Sequence, residues 1–478
     1  MRALLPAILA CSVTCASAQA PNGVDWWDSD IDPTFAANQV VPGWRRLYES
    51  AANEYGVAIA KTADGGFVVA ARLEGGAAGA RIGLFRLDRD GNHVTNFGNN
   101  GKVFKDAWLS WVSDMAIDAQ GRIVVLGSTP ASEGGTDIGV VRFNPDGSDD
   151  TSFGGDGGVA IPFVIDSSRW SCDPKSLLIE ADGRIVVTGT AIRPGDPVRF
   201  GVTRLRVDGT LDTSFGDYAG FTLSSFGAGS SQPIKILPLA GGHYLVVGSA
   251  AVSANDYDFG ARILRPGGGT WAGLTGAGTF HIDVPVPGGG GSYDFAADAA
   301  LRDPTSVVIA GTAGDGSGFG RFAAIRILAS GTGGQLTSLH VDPSFTGRPL
   351  DANCSRCYVS GYSAQTNAHA VGVRSDGRIV IAGAYSSSSN HTYGLVSRLR
   401  PDGYPDTGWV SGIVDDTSMA APTSTGEDSY STYFSDFVFD GGRMVATGSS
   451  VDSTSAPTDS DAIITRFRSD LIFADDFD

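Results

Sequence analysis

Short runs of Val and Ile alternate with polar positions at a spacing of two along most of the chain, and no apolar set at i, i+3, i+4 persists. That pattern predicts strands. The clearest unit is Gly121–Gly154, GRIVVLGSTPASEGGTDIGVVRFNPDGSDDTSFG. Just before it, Met115–Asp118 reads as a short apolar strand, and Ala119-Gln120-Gly121 as a turn. Arg122–Ser128 is a β-branched run, and in Asp137–Asn144 Val141 and Phe143 alternate against Val140 and Arg142. Pro145-Asp146-Gly147 supplies a tight turn, because Pro fixes φ, Asp can bond its own backbone and Gly accepts positive φ. Asp150-Thr-Ser-Phe153-Gly then opens a fourth strand. Four such strands make a sheet too small to bury both faces, so copies of it must stack, as a propeller or a solenoid.

Three marks count the copies. A turn precedes the β-branched strand at Asp64-Gly65, Gln120-Gly121, Asp182-Gly183, Gly241-Gly242, Asp303-Pro304, Asp376-Gly377 and Gly441-Gly442. An arginine stands in the third strand at Arg86, Arg142, Arg204, Arg262, Arg326, Arg398 and Arg466, with Arg262 out of step by one. An Asp-x-x-aromatic corner falls at Asp32–Phe35, Asp150–Phe153, Asp212–Phe215, Asp342–Phe345 and Asp406–Trp409, with Phe97 and Trp271 as degenerate copies. The first corner precedes any β-branched strand, and the last unit ends at Arg466-Phe467 without a corner. Ends that complement each other close a ring, whereas a solenoid would need polar caps. The expectation is an all-β, seven-bladed β-propeller of four-stranded antiparallel blades, closed by the N-terminal strand.

GRIVVLGS…DIGVVRFNPDGSDDTSFGGDGGV, ADGRIVVTGT…FGVTRLRVDGTLDTSFG and SDGRIVIAGA…YGLVSRLRPDG resemble the delta-60 repeat, a bacterial propeller-forming repeat. The resemblance runs from about Asp30 to Phe467 and is weakest in the fourth and fifth units. It implies the propeller fold and carries no catalytic or binding residues with it. The PDG…DTSF corner also loosely resembles the Asp-box of sialidase propellers, as structure only.

The ends bear on destination. Met1–Ala20 has one early cation, an apolar run and an A-x-A pattern, the features of a secretory signal peptide. Cleavage is expected after Ala18, with Ala20 the alternative, so the propeller would span 19–470 and a tail 471–478. That tail, LIFADDFD, is similar to IFADGFE-like endings of exported proteins. The chain is expected to be exported, to the medium, the periplasm or the cell surface, as a monomer without a membrane span. Its formal charge is −18, and losing Arg2 with the leader makes it −19. That sign opposes phosphate and argues against nucleic acid as a partner.

Loops between the second and third strands, and from the fourth strand to the next unit, are the long ones, including Leu73–Arg81, Thr129–Asp137, Ala272–Ala296, Gly347–Asn367 and Val410–Tyr433. They share one face of the disc, and a ligand site is expected there. Aromatic residues cluster in or beside them, and Trp108, Trp111, Trp170, Tyr358, Tyr362 and Tyr430 are the candidate ligand-binding residues. Exposed rings beside Asp and Asn suit sugar faces, while the competing reading wedges them between blades. Cys354 and Cys357 are expected to form a local disulfide, leaving Cys172 unpaired. The strand-three arginines are expected to pair with the corner Asp of their own blade as architecture.

Catalytic signatures are sparse. The six His are scattered, and there is no HExxH and no G-x-S-x-G. No catalytic residue, cofactor or metal is assigned. Asp88-Arg-Asp90-Gly91-Asn92 reads as an Asx turn, and Asp149, Asp150 and Asp156 could hold at most a weak calcium ion. The leading expectation is a binding or interaction scaffold for an extracellular glycan or protein. The alternatives are a polysaccharide hydrolase or lyase using loop acids such as Asp415 and Asp416, and a structural envelope component.

Overall fold

The computed structural model describes residues 32–467, except 39–42, 48–52, 77–78, 107–108, 133, 228, 254–255, 272–277, 287–292, 315–319, 348–355, 361–364, 387–391, 407–417, 421–429 and 453–458. It is a ring of seven antiparallel blades, each of four or five strands. The first strands of blades 1 to 7 are Glu54–Lys61, Trp111–Ile117, Ser168–Ile179, Ser231–Pro238, Asp294–Asp303, Gln365–Val373 and Tyr430–Asp440. Separate apolar clusters lie between successive sheets, because each strand presents alternate residues to the neighbour on either side. Val68, Val124 and Val186, which face their strand-three arginines across the ladder, are fully buried.

The ring closes through the N-terminus. Trp44–Arg46 pairs antiparallel with Ile463–Thr465 and becomes the outer strand of blade 7, whose other strands are Tyr430–Asp440, Arg443–Asp452 and Asp459–Arg466. The corner at Asp32–Phe35 serves this blade too: Arg466 Nε donates to Asp32 at 2.9 Å and Arg466 Nη2 to Thr34 Oγ1 at 3.0 Å.

The corner does two jobs. Within a blade, the strand-three arginine ion-pairs with the corner aspartate in Arg142–Asp150, Arg204–Asp212, Arg326–Asp342, Arg398–Asp406 and Arg466–Asp32, at 2.6–2.9 Å. Between blades, Arg142, Arg326 and Arg466 donate to the Val207, Pro401 and Arg89 carbonyls in the next blade's turn. The corner phenylalanines pack on the turn glycine of that next blade: Phe35 on Gly91, Phe153 on Gly209, Phe345 on Gly403. Those glycines stand at φ of +80 to +88°, where a side chain would be strained and would also strike the ring. One motif thus builds a blade and fastens it to the next.

Several expectations are corrected. Asp150–Phe153 is a turn, and the fourth strand of blade 2 begins only at Gly158, so the third-to-fourth connections are longer than the tight PDG turn alone. Leu73–Arg81 is largely a hairpin, in which Gly76 faces Gly79. Arg262 sits two residues after Gly260 of its ladder, whereas Arg142 sits three after Gly139. It therefore points to the other side of its sheet and reaches Ser225 O and Thr279 Oγ1. Blade 1 pairs Arg86 with Asp64 in place of a corner acid. The leader, the tail, Cys354, Asp415 and Asp416 lie outside the described residues.

Candidate functional site

All seven first strands break register at one level. The slips fall between Gly56/Ala58, Val112/Asp114, Pro174/Ser176, Pro233/Lys235, Ala296/Asp298, Ala368/Ala370 and Phe434/Asp436. A bulge of this kind inserts one unpaired residue and turns the strand. Glycine in the second strand makes room for it. A side chain at Gly127 would collide with the Trp111 carbonyl, and Gly189, Gly248, Gly311, Gly383 and Gly448 are crowded in the same way.

The bulged residues Val57, Ser113, Lys175, Ile234, Ala297, His369 and Ser435 are accessible and line the axial channel. Two residues earlier, on the same side of each strand, come Tyr55, Trp111, Asp173, Gln232, Phe295, Asn367 and Tyr433, all at least partly accessible. They form the rim where the chain enters each blade, on the face of the interblade connections. Tyr433, Tyr55 and Trp111 belong to the consecutive blades 7, 1 and 2, and they make one aromatic arc. With Arg72, Lys175, Ser113 and Ser435 they border a cleft of about 380 Å³. Arg72 lies 3.7 Å from the Trp111 ring centroid and 4.5 Å from that of Tyr55, and its Nη2 is 2.9 Å from Glu74. Trp111 is 49 % exposed. Beyond the polar stretch of Asp173 and Gln232, Phe295 stacks with Tyr293 at 6.2 Å and meets Tyr257 at 5.0 Å, so a second aromatic patch marks blade 5.

Below the mouth the channel continues as a cavity of about 120 Å³ lined by Asp114, Lys175, Lys235, Asp298, His369 and Asp436. The aspartates bridge blades: Asp114 accepts from Leu177 N, Asp298 from Val371 N and Asp436 from Ile59 N, each at 2.9 Å. Asp114 and Asp436 use their other oxygen for the next residue of their own strand, at 2.8 Å. Lys235 stands 3.2 Å from Asp298, and the nearby carboxylates of Asp298, Asp114 and Asp436 hold its ammonium charged despite burial. Burial pushes the Asp436 carboxyl up to about 7, against the pull of Lys235 and the Ile59 hydrogen bond. His369 Nδ1 bonds the Phe434 carbonyl at 2.7 Å, and burial pushes its imidazole below the usual range. Its ring meets Tyr433 edge-on at 5.9 Å.

Of the six aromatic candidates, only Trp111 is seen at this site. Trp170 is buried under Arg193, 4.6 Å from its ring, and Tyr358 is buried in an outer strand of blade 5. Both serve packing. Tyr430 begins the first strand of blade 7, while Trp108 and Tyr362 lie outside the described residues. Tyr433 stands among the aromatics that the sequence places beside the long loops, while Tyr55, Arg72 and the channel ring are visible only once the bulge is known. Cys357 is disulfide-bonded, and Cys172 is free and fully buried, where burial pushes its thiol far up.

Asp149 pairs with Lys105 and Asp150 with Arg142. Among the described residues no group of three or more His, Cys, Asp or Glu is placed to hold a metal ion. Asp88 Oδ1 accepts from Asp90 N and Asn92 N, which is an Asx turn. Among the described residues no helix is long and apolar enough to cross a membrane.

Residues 120–153, 180–215 and 374–408 match a family model described as a β-propeller domain of unknown function, DUF5122. These segments are similar to the repeats of that β-propeller family. They fall in blades 2, 3 and 6. No curated protein matches the chain. Among solved structures it is similar to a PL25 ulvan lyase, with TM-score 0.45, 11 % identity, and 87 % of this chain and 95 % of that one covered. It is also similar to the β-propeller domain of the trilobed protease from Pyrococcus furiosus, with TM-score 0.42, 8 % identity, and 87 % and 95 % covered. A protein of unknown function from Dyadobacter fermentans gives TM-score 0.39 and 15 % identity, with 90 % and 100 % covered. Likenesses this distant carry no argument about chemistry.

Proposed function

We propose that this is an exported scaffold of delta-60-like repeats that binds carbohydrate at the channel mouth. The observation that carries the reading is the aromatic arc of Tyr433, Tyr55 and Trp111 beside polar Arg72, Ser113, Lys175 and Ser435, around a cleft of about 380 Å³. Sugar rings present apolar C–H faces and hydroxyl edges, so they need a ring to lie on and polar groups at the side. The Phe295–Tyr293–Tyr257 patch adds a second aromatic platform on the same rim. Strands hold these residues on a rigid frame, which keeps the ordering cost of binding low.

The hydrolase or lyase alternative draws less support from the channel. Asp114, Asp298 and Asp436 all accept backbone N–H groups from a neighbouring blade, the role of a girdle. The test is retention of the purified protein on a panel of glycans and cell-wall polymers, with Trp111→Ala beside the wild type. Binding to one sugar class that falls at least tenfold in the variant, with an unchanged melting temperature, supports the site. Equal binding by the two proteins refutes it.

A further inference from the structure

Two positions depart from the repeat in the segment that closes the ring, residues 32–38 and 43–47. The first ends the corner. In four blades that residue is glycine, and its N–H reaches the next blade's turn: Gly98 to Asp146 O, Gly154 to Asp208 O, Gly216 to Gly267 O and Gly347 to Asp402 O. All four stand at positive φ, between +50° and +80°. Ala36 makes the same bond to Asp90 O, at φ +47°. The left-handed region costs an alanine about tenfold in population relative to glycine. Ala36 is 0 % exposed, so packing holds it there.

The second lies in the outer strand, opposite the residue two places before the third-strand arginine. Blades 1, 2, 3 and 5 carry the neutral residues Val103, Val159, Thr222 and Tyr358 there. In blade 7 the same ladder position, opposite Ile464, is Arg45. Arg45 is 7 % exposed; its Nη2 donates to Asn38 Oδ1 at 3.1 Å, and its Nε is buried without a partner. Burial pulls its guanidinium below the usual range, opposed by the charge of Asp88. The arginines of the third strands, at similar depth, each ion-pair with an aspartate of their own corner in blades 2, 3, 5 and 7. An unpartnered buried donor on a charged group weakens the strand that carries it.

Topology lets this contact yield. In blades 1, 2, 3, 4 and 6 the outer strand follows the third directly in the chain, so it leaves only if the blade unfolds. The closing segment comes from the other end of the chain, and Trp44–Arg46 covers Ile463–Thr465 without a covalent link nearby. We propose that this segment is a releasable strap, which leaves blade 7 in the native protein while the seven sheets stay folded. Its release opens the ring between blades 7 and 1 and bares the outer edge of Asp459–Arg466. The bonds from Arg466 and Arg443 to Asp32 hold the strap, and Ala36 and Arg45 set it nearer to release. The device is independent of the carbohydrate reading, since neither Ala36 nor Arg45 lines the mouth cleft.

The test is native-state hydrogen exchange of the full chain, read by mass spectrometry with fragmentation to single amides. Arg466 N bonds Gly43 O across the strap, and Arg142 N bonds Gly157 O within blade 2, so the two amides make the same bond of the repeat. Leu47 N, bonded to Ala462 O at 2.8 Å, is the second strap reporter. The expected result is that Arg466 and Leu47 lose protection together and are at least tenfold less protected than Arg142. Ala36→Gly should raise protection at both at least fivefold and leave Arg142 unchanged. Arg45→Val, the residue of blades 1 and 2, should act in the same direction. Equal protection of Arg466 and Arg142 in the wild type, or strap amides that Ala36→Gly leaves unchanged, overturns the proposal. Should Arg45→Val fail to fold, Ala36→Gly still decides, because it installs the residue that four other corners already carry.

Discussion

Asp32→Ala should open the ring. Asp32 accepts Thr34 N at 3.0 Å, Thr34 Oγ1 at 2.6 Å, Arg466 Nε at 2.9 Å and Arg443 Nη1 at 2.5 Å. It joins residues 434 positions apart in sequence, so no local structure substitutes for it. Arg466 is 2 % exposed, and removing the carboxylate strands a buried guanidinium whose remaining bonds go to Arg89 O and Thr34 Oγ1. Breaking one partner of a buried pair costs about 3–5 kcal/mol, chiefly because the other charge is left uncompensated. Arg466→Met in the same background removes that charge, so the double variant should recover at least about 1 kcal/mol relative to the sum of the singles. Urea denaturation measures both quantities. Limited proteolysis supplies a second readout, since Asp32→Ala should expose the segment around Trp44–Arg46 to cleavage while Asp150→Ala, the same change inside blade 2, should not. A loss below about 1 kcal/mol, strict additivity with Arg466→Met, or equal proteolysis of the two aspartate variants would refute the reasoning.

The other predictions follow from the same contacts. Phe153→Ala removes a fully buried ring from the seam with Gly209 and should cost about 3–5 kcal/mol in urea unfolding. Gly127→Val pushes a side chain against the Trp111 carbonyl, so it should lower stability and weaken any ligand held by Trp111, and a stability unchanged within error would sink the role given to the bulge. Asp32, Asp150, Asp212 and Asp342 carry folded-state pKa values below the usual carboxylate range: burial acts against this, and hydrogen bonds from Thr34, Ser152, Ser214 and Ser344 with the arginine charges overcome it. Their contribution is present above the unfolded value and lost as pH falls through the folded one, so stability should drop below about pH 4. Asp436 runs the other way: its carboxyl is raised to about 7, so the wild type should lose stability relative to Asp436→Asn as pH rises from about 4 to 7. Thermal melts across that window check the sign, and a constant difference between the two proteins contradicts it.

The fold was legible because every blade repeats the same marks, and ring closure because one corner sits before the first blade while its arginine sits in the last. The pairing of strand-three arginines with their own corner was also readable, and it holds in five blades. The one-residue offset of Arg262 was visible as an irregularity, and the ladder shows why: the side chain faces the other side of the sheet. The links from Arg142 to Val207 and from Phe153 to Gly209 were not readable, because sequence spacing says nothing about which neighbouring blade a side chain meets.

The site was harder to read. A bulge inverts the alternation partway along each first strand, so a pattern of period two misplaces every residue on one side of it. That hid Tyr55 and Lys235, and the place of His369 in the channel, whereas Tyr433 was already visible in the sequence as one of the aromatics beside the long loops. Trp111 was found because it stands beside a loop, but so does Trp170, which is 3 % exposed. Composition alone does not separate an exposed ring from one that packs under Arg193. The signal that would have found the rim is the residue two places before each bulge, aromatic in blades 1, 2, 5 and 7.

The most direct test of the central claim is the glycan and cell-wall polymer panel, run on the wild type and Trp111→Ala with calcium and with chelator. The account predicts retention on one sugar class, insensitive to chelation and lost with the indole of Trp111. Retention that survives Trp111→Ala, or no retention on any polymer, would contradict a carbohydrate site at the channel mouth.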